Sequence, residues 1–447
     1  MRYKLLIFIG LGLCACNAPQ TPPSPARISS GNDAAYIHAA EKKLTDLIIT
    51  DIFSPPVASR VYVYPLLAAY EAGRFSEKNS TSITAQLKGF EPMPVPEQGE
   101  SYDYTVAAIK ALCTVAPKVL FSTDSLAAFE NAVLTDLKGR LTDSVFNRSV
   151  RLGQQVGAII NKRLANDNYK ETRGMPRYEV KNGIPGRWVP TPPDYADGVE
   201  PHWAKMRTLR LDTAAQFRPS PPPFHRSPLR QYSEQKNSLF WQEVVEVHSI
   251  SKNFTPEQEE ILTFWDDNPF VSRHKGHLMF QDKKMTPGGH WLAIAQLILK
   301  ERQADFYTSL KTYALTSLAL YEAFISCWEA KYHYNLVRPE TVISAKLDKQ
   351  WHPVLVTPPF PAYTSGHSTI SAAAAEVLTG LFGDAVAFTD TTEKEYGLPV
   401  RSFSSFRQAA KEASESRIYA GIHYRSDCEK GNQQGTKLGQ WLIRVVN

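Results

Sequence analysis

At 447 residues the chain is longer than one hydrophobic core comfortably fills, which favours one large helical domain or two closely packed halves. Apolar residues at 43% and charged residues at 21% describe an ordinary folded protein. A net charge of +5, not gathered into basic runs, argues against nucleic-acid binding.

The first sixteen residues read as a targeting segment. Arg2 and Lys4 make a short positive region, Leu5 to Leu13 a brief apolar run, and Leu13-Cys14-Ala15-Cys16 a small-residue cleavage context ending in cysteine. This arrangement resembles a bacterial lipoprotein signal, with Cys16 as the lipid-bearing residue. Residues 17–31, with Pro19, Pro22, Pro23 and Pro25 among Ser and Thr, then form a flexible tether. The expectation is an exported protein held in the bacterial cell envelope by a lipid at Cys16. No later run reaches the ~18 to 20 apolar residues that span a bilayer, so the anchor would be the chain's only membrane contact. Cys113, Cys327 and Cys428 remain, an odd number without metal-ligand spacing, which predicts buried thiols and no disulfide framework.

Helix signals dominate the body. Arg60 to Arg74 carries Val61, Tyr64, Leu67 and Tyr70 at helical spacing, and Ser125 to Leu141 places Leu126, Phe129, Val133 and Leu137 on one face. Between Gly174 and Pro228 a proline-rich, aromatic stretch predicts a long ordered wrap. Thr255-Pro256-Glu257-Gln258 is a helix start, with Thr255 as N-cap, Pro256 at N1 and Gln258 in the capping-box position. Trp291 to Lys300 and Tyr307 to Lys331 continue the helical pattern, and strand alternation is scarce. The predicted fold is all-α, a large helical-bundle domain with an N-terminal half over 32–215, a C-terminal half over 216–447, and the proline-rich irregular segment connecting them.

Chemistry concentrates in three fragments of the last third. In Lys331 to Arg338-Pro339 the two cations, seven residues apart, would share a helix face about 10 Å apart along the axis. Pro339 biases Arg338 out of the helix, which predicts a helix end there. Ser365-Gly366-His367 precedes an alanine-rich helix former, so its N–H groups and the positive dipole end face outward, as an oxyanion site requires. His367 at that mouth can exchange a proton with a ligand oxygen. In Ser416-Arg417 to His423 and Asp427, Arg417 and His423 lie about 240° apart on a continuous helix and share a face only if the backbone bends near Gly421. His423 and Asp427, four apart, are adjacent if helical, and the carboxylate would then fix the tautomer and leave Nε2 facing an anion.

The order and spacing K-x6-RP, SGH, SR-x5-H-x3-D resembles the signature shared by vanadium-dependent haloperoxidases and type 2 phosphatidic acid phosphatases. Trp328 and Phe360 are similar to the aromatic pocket positions of the chloroperoxidase branch, and so are the flanking segments Gly186 to Pro193 and Phe264 to Asp267. Thr364 stands where the family usually has proline, and Phe360 where algal bromoperoxidases have histidine. The resemblance implies a helical-bundle anion site in which Lys331, Arg338, Arg417, Ser365 and the Gly366 N–H hold vanadate. His423 is then the axial metal ligand, His367 the acid-base group, Asp427 the orienter of His423, and Asp267 a partner of Arg417. It further implies hydrogen peroxide, halide and a small organic acceptor as reaction partners.

The rival within the same resemblance uses the site for phosphate, with His423 as nucleophile and His367 protonating the leaving alcohol. Against it stand the lack of bilayer-spanning segments, the large upstream half, and Trp328 with Phe360. A scaffold with a decayed site is disfavoured because no anion-binding residue is missing. His274, His277 and His290 lack a completing cluster in the sequence and read as ordinary surface or core histidines. His333, inside the first fragment, reads as a pocket-lining residue.

Overall fold

The computed structural model describes residues 33–181, 183–222, 235–267, 272–275, 278–281 and 284–446. The signal and tether of residues 1–31, His277, the side chain of His274 and the end of the Gly174 to Pro228 stretch lie outside them. The first part of the chain forms α1 (Ala34–Asp51), α2 (Pro55–Gly73), α3 (Tyr104–Val115), α4 (Thr123–Lys138), α5 (Asp143–Ala165) and the short α6 (Tyr169–Arg173). A long irregular stretch leads to α7 (Leu239–Lys252), α8 (Pro256–Phe264), α9 (Pro287–Glu301), α10 (Phe306–Tyr334), α11 (Pro339–Lys346), α12 (Gly366–Phe382), α13 (Phe406–Tyr419) and α14 (Arg425–Val446). Strands among the described residues are confined to two antiparallel pairs, β1 (Ser272–Lys275) with β2 (Leu278–Gln281) and β3 (Phe388–Asp390) with β4 (Arg401–Phe403). The fold is all-α.

Local chemistry explains the boundaries. At the start of α8 the Thr255 hydroxyl accepts from the Gln258 N–H at 3.2 Å, and the Gln258 side chain accepts from the Thr255 N–H at 2.9 Å, so both halves of the capping box are made. α2 begins five residues before the apolar pattern suggests because Pro55 takes the first-turn position, where its missing N–H costs nothing. α10 is buried on nearly every side, as a helix apolar all round must be, and packs against α2, α9, α12 and α14. One cluster of buried apolar residues runs from Tyr36 to Val446. Among the described residues no helix is long and apolar enough to cross a membrane, and Cys113, Cys327 and Cys428 are buried free thiols.

Two contacts position the site. α14 presents Gly431, Gly435 and Gly439 to α12 at intervals of four, and a Cβ built on Gly435 would stand 2.0 Å from the Thr369 carbonyl oxygen. Only bare backbone permits so close an approach. The irregular stretch is pinned as well: Val337 donates to the Gly186 carbonyl at 2.9 Å, Trp188 to Asn335 at 3.0 Å, and Val199 to Pro359 at 2.9 Å. It thereby braces both the α10–α11 link and the proline-rich loop before α12.

Candidate oxyanion site

The three fragments meet at one place. α10 stops at Asn335, which takes a left-handed conformation (φ 53°), rather than at Arg338 as Pro339 suggests; Arg338 is extended and serves as N-cap of α11. Lys331 in the last turn of α10 and Arg338 beyond the link are both wholly buried, as is Arg417 at 1% exposure. Ser365 caps α12, its hydroxyl accepting from the Ser368 N–H at 3.3 Å, and its own N–H donates to the Asp427 carbonyl at 3.0 Å, joining the second fragment to the third. α13 ends at Tyr419, and Gly421 at φ +79° makes the bend that the Arg417–His423 spacing requires; a side chain there would also press on Trp351 and Pro353.

The cations are held by carbonyl oxygens. Lys331 Nζ donates to Pro361 and Ala362 at 3.0 and 3.2 Å, and Arg338 donates to Phe360 at 2.8 Å and Ile422 at 2.7 Å. Pro358, Pro359 and Pro361 have no N–H to compete for the carbonyls of their own loop, and those of Phe360 and Pro361 accept from the cations. Arg417 Nη2 donates to the Trp265 carbonyl at 2.6 Å, and its Nε to the neighbouring Ser416 hydroxyl at 2.9 Å, which accounts for the serine before the arginine. Among the described residues no carboxylate lies within ion-pair distance of Lys331, Arg338 or Arg417. Asp267, expected beside Arg417, instead bonds His290 at 3.0 Å; the carbonyl of Trp265 in the same segment takes the guanidinium.

The histidines are set as neutral bases. His423 Nδ1 donates to Asp427 Oδ2 at 3.1 Å, so Nε2 carries the lone pair and accepts from Arg338 Nη1 at 3.1 Å. His367 Nε2 lies 3.5 Å from Arg417 Nη1. Burial, then the Arg338 charge, holds His423 well below its ordinary pKa, and burial followed by Arg417 does the same for His367. Burial, with Arg338 adding, lowers Lys331 to about 7, and burial brings Arg338 down to about 10. Burial pushes Asp427 up to about 8, partly offset by the Tyr424 N–H and by Lys331 and Arg338.

One side of the cavity is apolar. Trp328 and Phe360 lie 5.0 Å apart, the Phe360 ring sits 4.9 Å from Lys331 Nζ and 5.0 Å from the Arg338 guanidinium carbon, and Phe324, Ile370 and Ile422 complete the wall. Such desolvated cation–π contacts contribute up to ~2 kcal/mol each and help retain charges that burial disfavours. Gly366 faces the same space; a Cβ there would meet the Trp328 ring at 3.6 Å. His333 is exposed and packs on Tyr334, so it does not line the cavity. Two contributors escape the motif reading: Trp265, whose signal is only a backbone carbonyl, and the α14 glycines, whose spacing of four is visible in the sequence.

Two guanidinium cations and the Lys331 ammonium, none paired with a carboxylate among the described residues, stand with a helix N-terminus and an imidazole lone pair, a donor set that can take a tetrahedral oxyanion. If Asp427 orients His423, Asp427→Asn should weaken oxyanion binding by about 10- to 100-fold with the fold intact, as measured by equilibrium dialysis against vanadate. Unchanged affinity would show that His423 is held by other contacts.

The fold has known relatives. Residues 311–447 match the family described as the VCPO second helical-bundle domain. A solved bacterial vanadium-dependent iodoperoxidase superposes with a TM-score of 0.85 at 43% sequence identity, over 92% of this chain and 96% of that one. The holo form of a bacterial vanadium-dependent chloroperoxidase superposes with a TM-score of 0.70 at 18% identity, over 92% and 97%, a likeness of fold. No curated protein sequence matches the chain. At that identity to the iodoperoxidase, sustained over nearly the full length of both chains, this chain belongs to the vanadium-dependent haloperoxidase family.

Proposed function

We propose that the chain binds vanadate and oxidises halide with hydrogen peroxide, with iodide as the preferred halide. The observation that carries the reading is the convergence of Lys331, Arg338 and Arg417, all buried and, among the described residues, without carboxylate partners, around His423, whose Nε2 presents its lone pair beside Arg338. This donor set suits vanadate: the three cations, the Ser365 hydroxyl and the Gly366 N–H would hold the anion, and His423 Nε2 would be the nitrogen that binds it. When bound, vanadate supplies Lewis-acid activation of hydrogen peroxide without a change in oxidation state.

The chain's own groups do the rest. His367, kept neutral, takes a proton from the incoming peroxide and returns it as water departs. The fixed guanidinium and ammonium groups draw negative charge toward themselves and leave the peroxide oxygen open to attack by halide. The net reaction joins hydrogen peroxide, halide and one proton into hypohalous acid and water, and a small organic acceptor takes the halogen in turn. The apolar wall of Trp328, Phe360, Phe324, Ile370 and Ile422 excludes water. It suits a large, weakly hydrated halide, and the 43% identity to an iodoperoxidase supports the same choice. The reading includes an exported enzyme with a lipid at Cys16, supported by the Arg2 to Cys16 pattern alone.

The test is to reconstitute the purified protein with orthovanadate. Peroxide-dependent oxidation of iodide, bromide and chloride is then assayed beside hydrolysis of a phosphate ester. Iodide turnover above that of the other halides is expected. Phosphate fits the same donors, and ester hydrolysis without halide oxidation would transfer the site to phosphohydrolase chemistry with His423 as nucleophile.

A further inference from the structure

A second cluster of metal-ligating groups lies outside the oxyanion receptor. Asp267 follows α8, His290 sits in α9, and Asp390 and Glu393 come from β3 and the turn after it. All four are buried, His290 and Asp390 completely. Asp267 Oδ1 is 3.0 Å from His290 Nδ1, Glu393 Oε1 is 3.8 Å from the same nitrogen, and the three residues offer one ligand atom each within 4.8 Å of one another. On the far side of the ring, Nε2 is 3.0 Å from Asp390 Oδ2, while Asp390 Oδ1 accepts from the Thr392 N–H and hydroxyl at 2.9 and 2.6 Å.

Asp390, held in place by Thr392, is an acceptor for an Nε2 proton, which would leave the Nδ1 lone pair facing Asp267 and Glu393. A carboxylate behind a histidine whose other nitrogen meets further anionic oxygens is the arrangement that orients an imidazole for a metal. Glu393 Oε1, beside that nitrogen, is buried with no hydrogen-bond partner. A cation held by Asp267, His290 and Glu393 would give that oxygen a partner. Access exists, since Asp266 and Asp267 line the same cavity as His367 and Arg417.

We propose that Asp267, His290 and Glu393 bind a divalent transition-metal cation, with Asp390 as the carboxylate that orients His290. One imidazole and two carboxylates suit Zn2+ or Mn2+. The cation lies behind Trp265, whose ring stacks on His290 at 4.7 Å and whose carbonyl holds Arg417. It is separate from vanadate and does not depend on the proposed activity.

The experiment strips the full-length, vanadate-free protein with a chelator and titrates it with Mn2+ followed by electron paramagnetic resonance, with Zn2+ as competitor. One Mn2+ bound per chain and displaced by Zn2+ is expected, and His423→Ala should bind it equally. Glu393→Gln, and Asp267→Asn as a second variant, should weaken binding by at least about tenfold while circular dichroism reports an intact fold. No binding of either ion, undiminished binding in folded Glu393→Gln and Asp267→Asn, or loss of binding in His423→Ala would overturn the site. The first of these results would leave His290 as a structural histidine bridging Asp267 and Asp390.

Discussion

His423→Ala should lose vanadate, and His367→Ala should keep it. The first variant removes the nitrogen whose lone pair is freed by Asp427 and aimed beside Arg338, and it leaves that guanidinium facing a void. Truncating one member of a desolvated polar pair costs about 2–5 kcal/mol, so vanadate affinity should fall by at least about 30-fold. His367 contacts Arg417 only at 3.5 Å and lines the cavity where substrate enters. Its loss should change affinity little while slowing halide oxidation by roughly 100- to 10,000-fold, the usual worth of a placed acid-base group. Vanadium content after dialysis and steady-state turnover separate the two outcomes. Full vanadate retention by folded His423→Ala would remove His423 as the residue that binds vanadate.

Lys331→Met should act with opposite sign on stability and on binding. Burial lowers Lys331 to about 7 from an ordinary 10.5. Between those values the unfolded chain binds more protons than the folded one, so this group's contribution to stability rises as pH climbs from about 7 to 10.5; its penalty is full below pH 7. A methionine fills similar volume without the charge. At pH 6 the vanadate-free variant should unfold with a free energy about 1–2 kcal/mol above that of the parent, and by pH 9 the gain should shrink. Vanadate binding should weaken by about 2–3 kcal/mol, since a buried positive charge facing the anion is gone. In the parent, vanadate affinity should also decline above pH 7, because the bound anion favours a proton that Lys331 must then take up. Chemical denaturation at the two pH values with vanadate dialysis checks both signs, and a variant less stable at both would show that the Pro361 and Ala362 carbonyls need the ammonium donor more than burial opposes it.

Much of this was legible from residue order because the relevant physics is local. Thr255 to Gln258 specifies a helix start within four residues, and Gly421 bends the chain where Arg417 and His423 demand it. The motif residues identify their own fragments, and their spacing is sufficient to expect a shared receptor. What required coordinates was long-range partnership. Asp267 finds His290, twenty-three positions later, and not Arg417, while Asp390 and Glu393 arrive from a strand and turn a hundred residues further on. Pro339 overstated the length of α10 because the left-handed Asn335, whose backbone conformation carries only a weak sequence signal, ends the helix first. The exposure of His333 is likewise set by tertiary packing and not by its position inside a motif.

The glycine seam between α12 and α14 has a consequence for how the enzyme is supplied with its cofactor. Because the two backbones are clamped at Gly431, Gly435 and Gly439, the segments carrying Ser365 and Asp427 stay in register whether or not an anion bridges them. Folding and loading are therefore separable events. A newly made chain can wait fully assembled for a scarce trace element and capture it as a rigid host takes a guest.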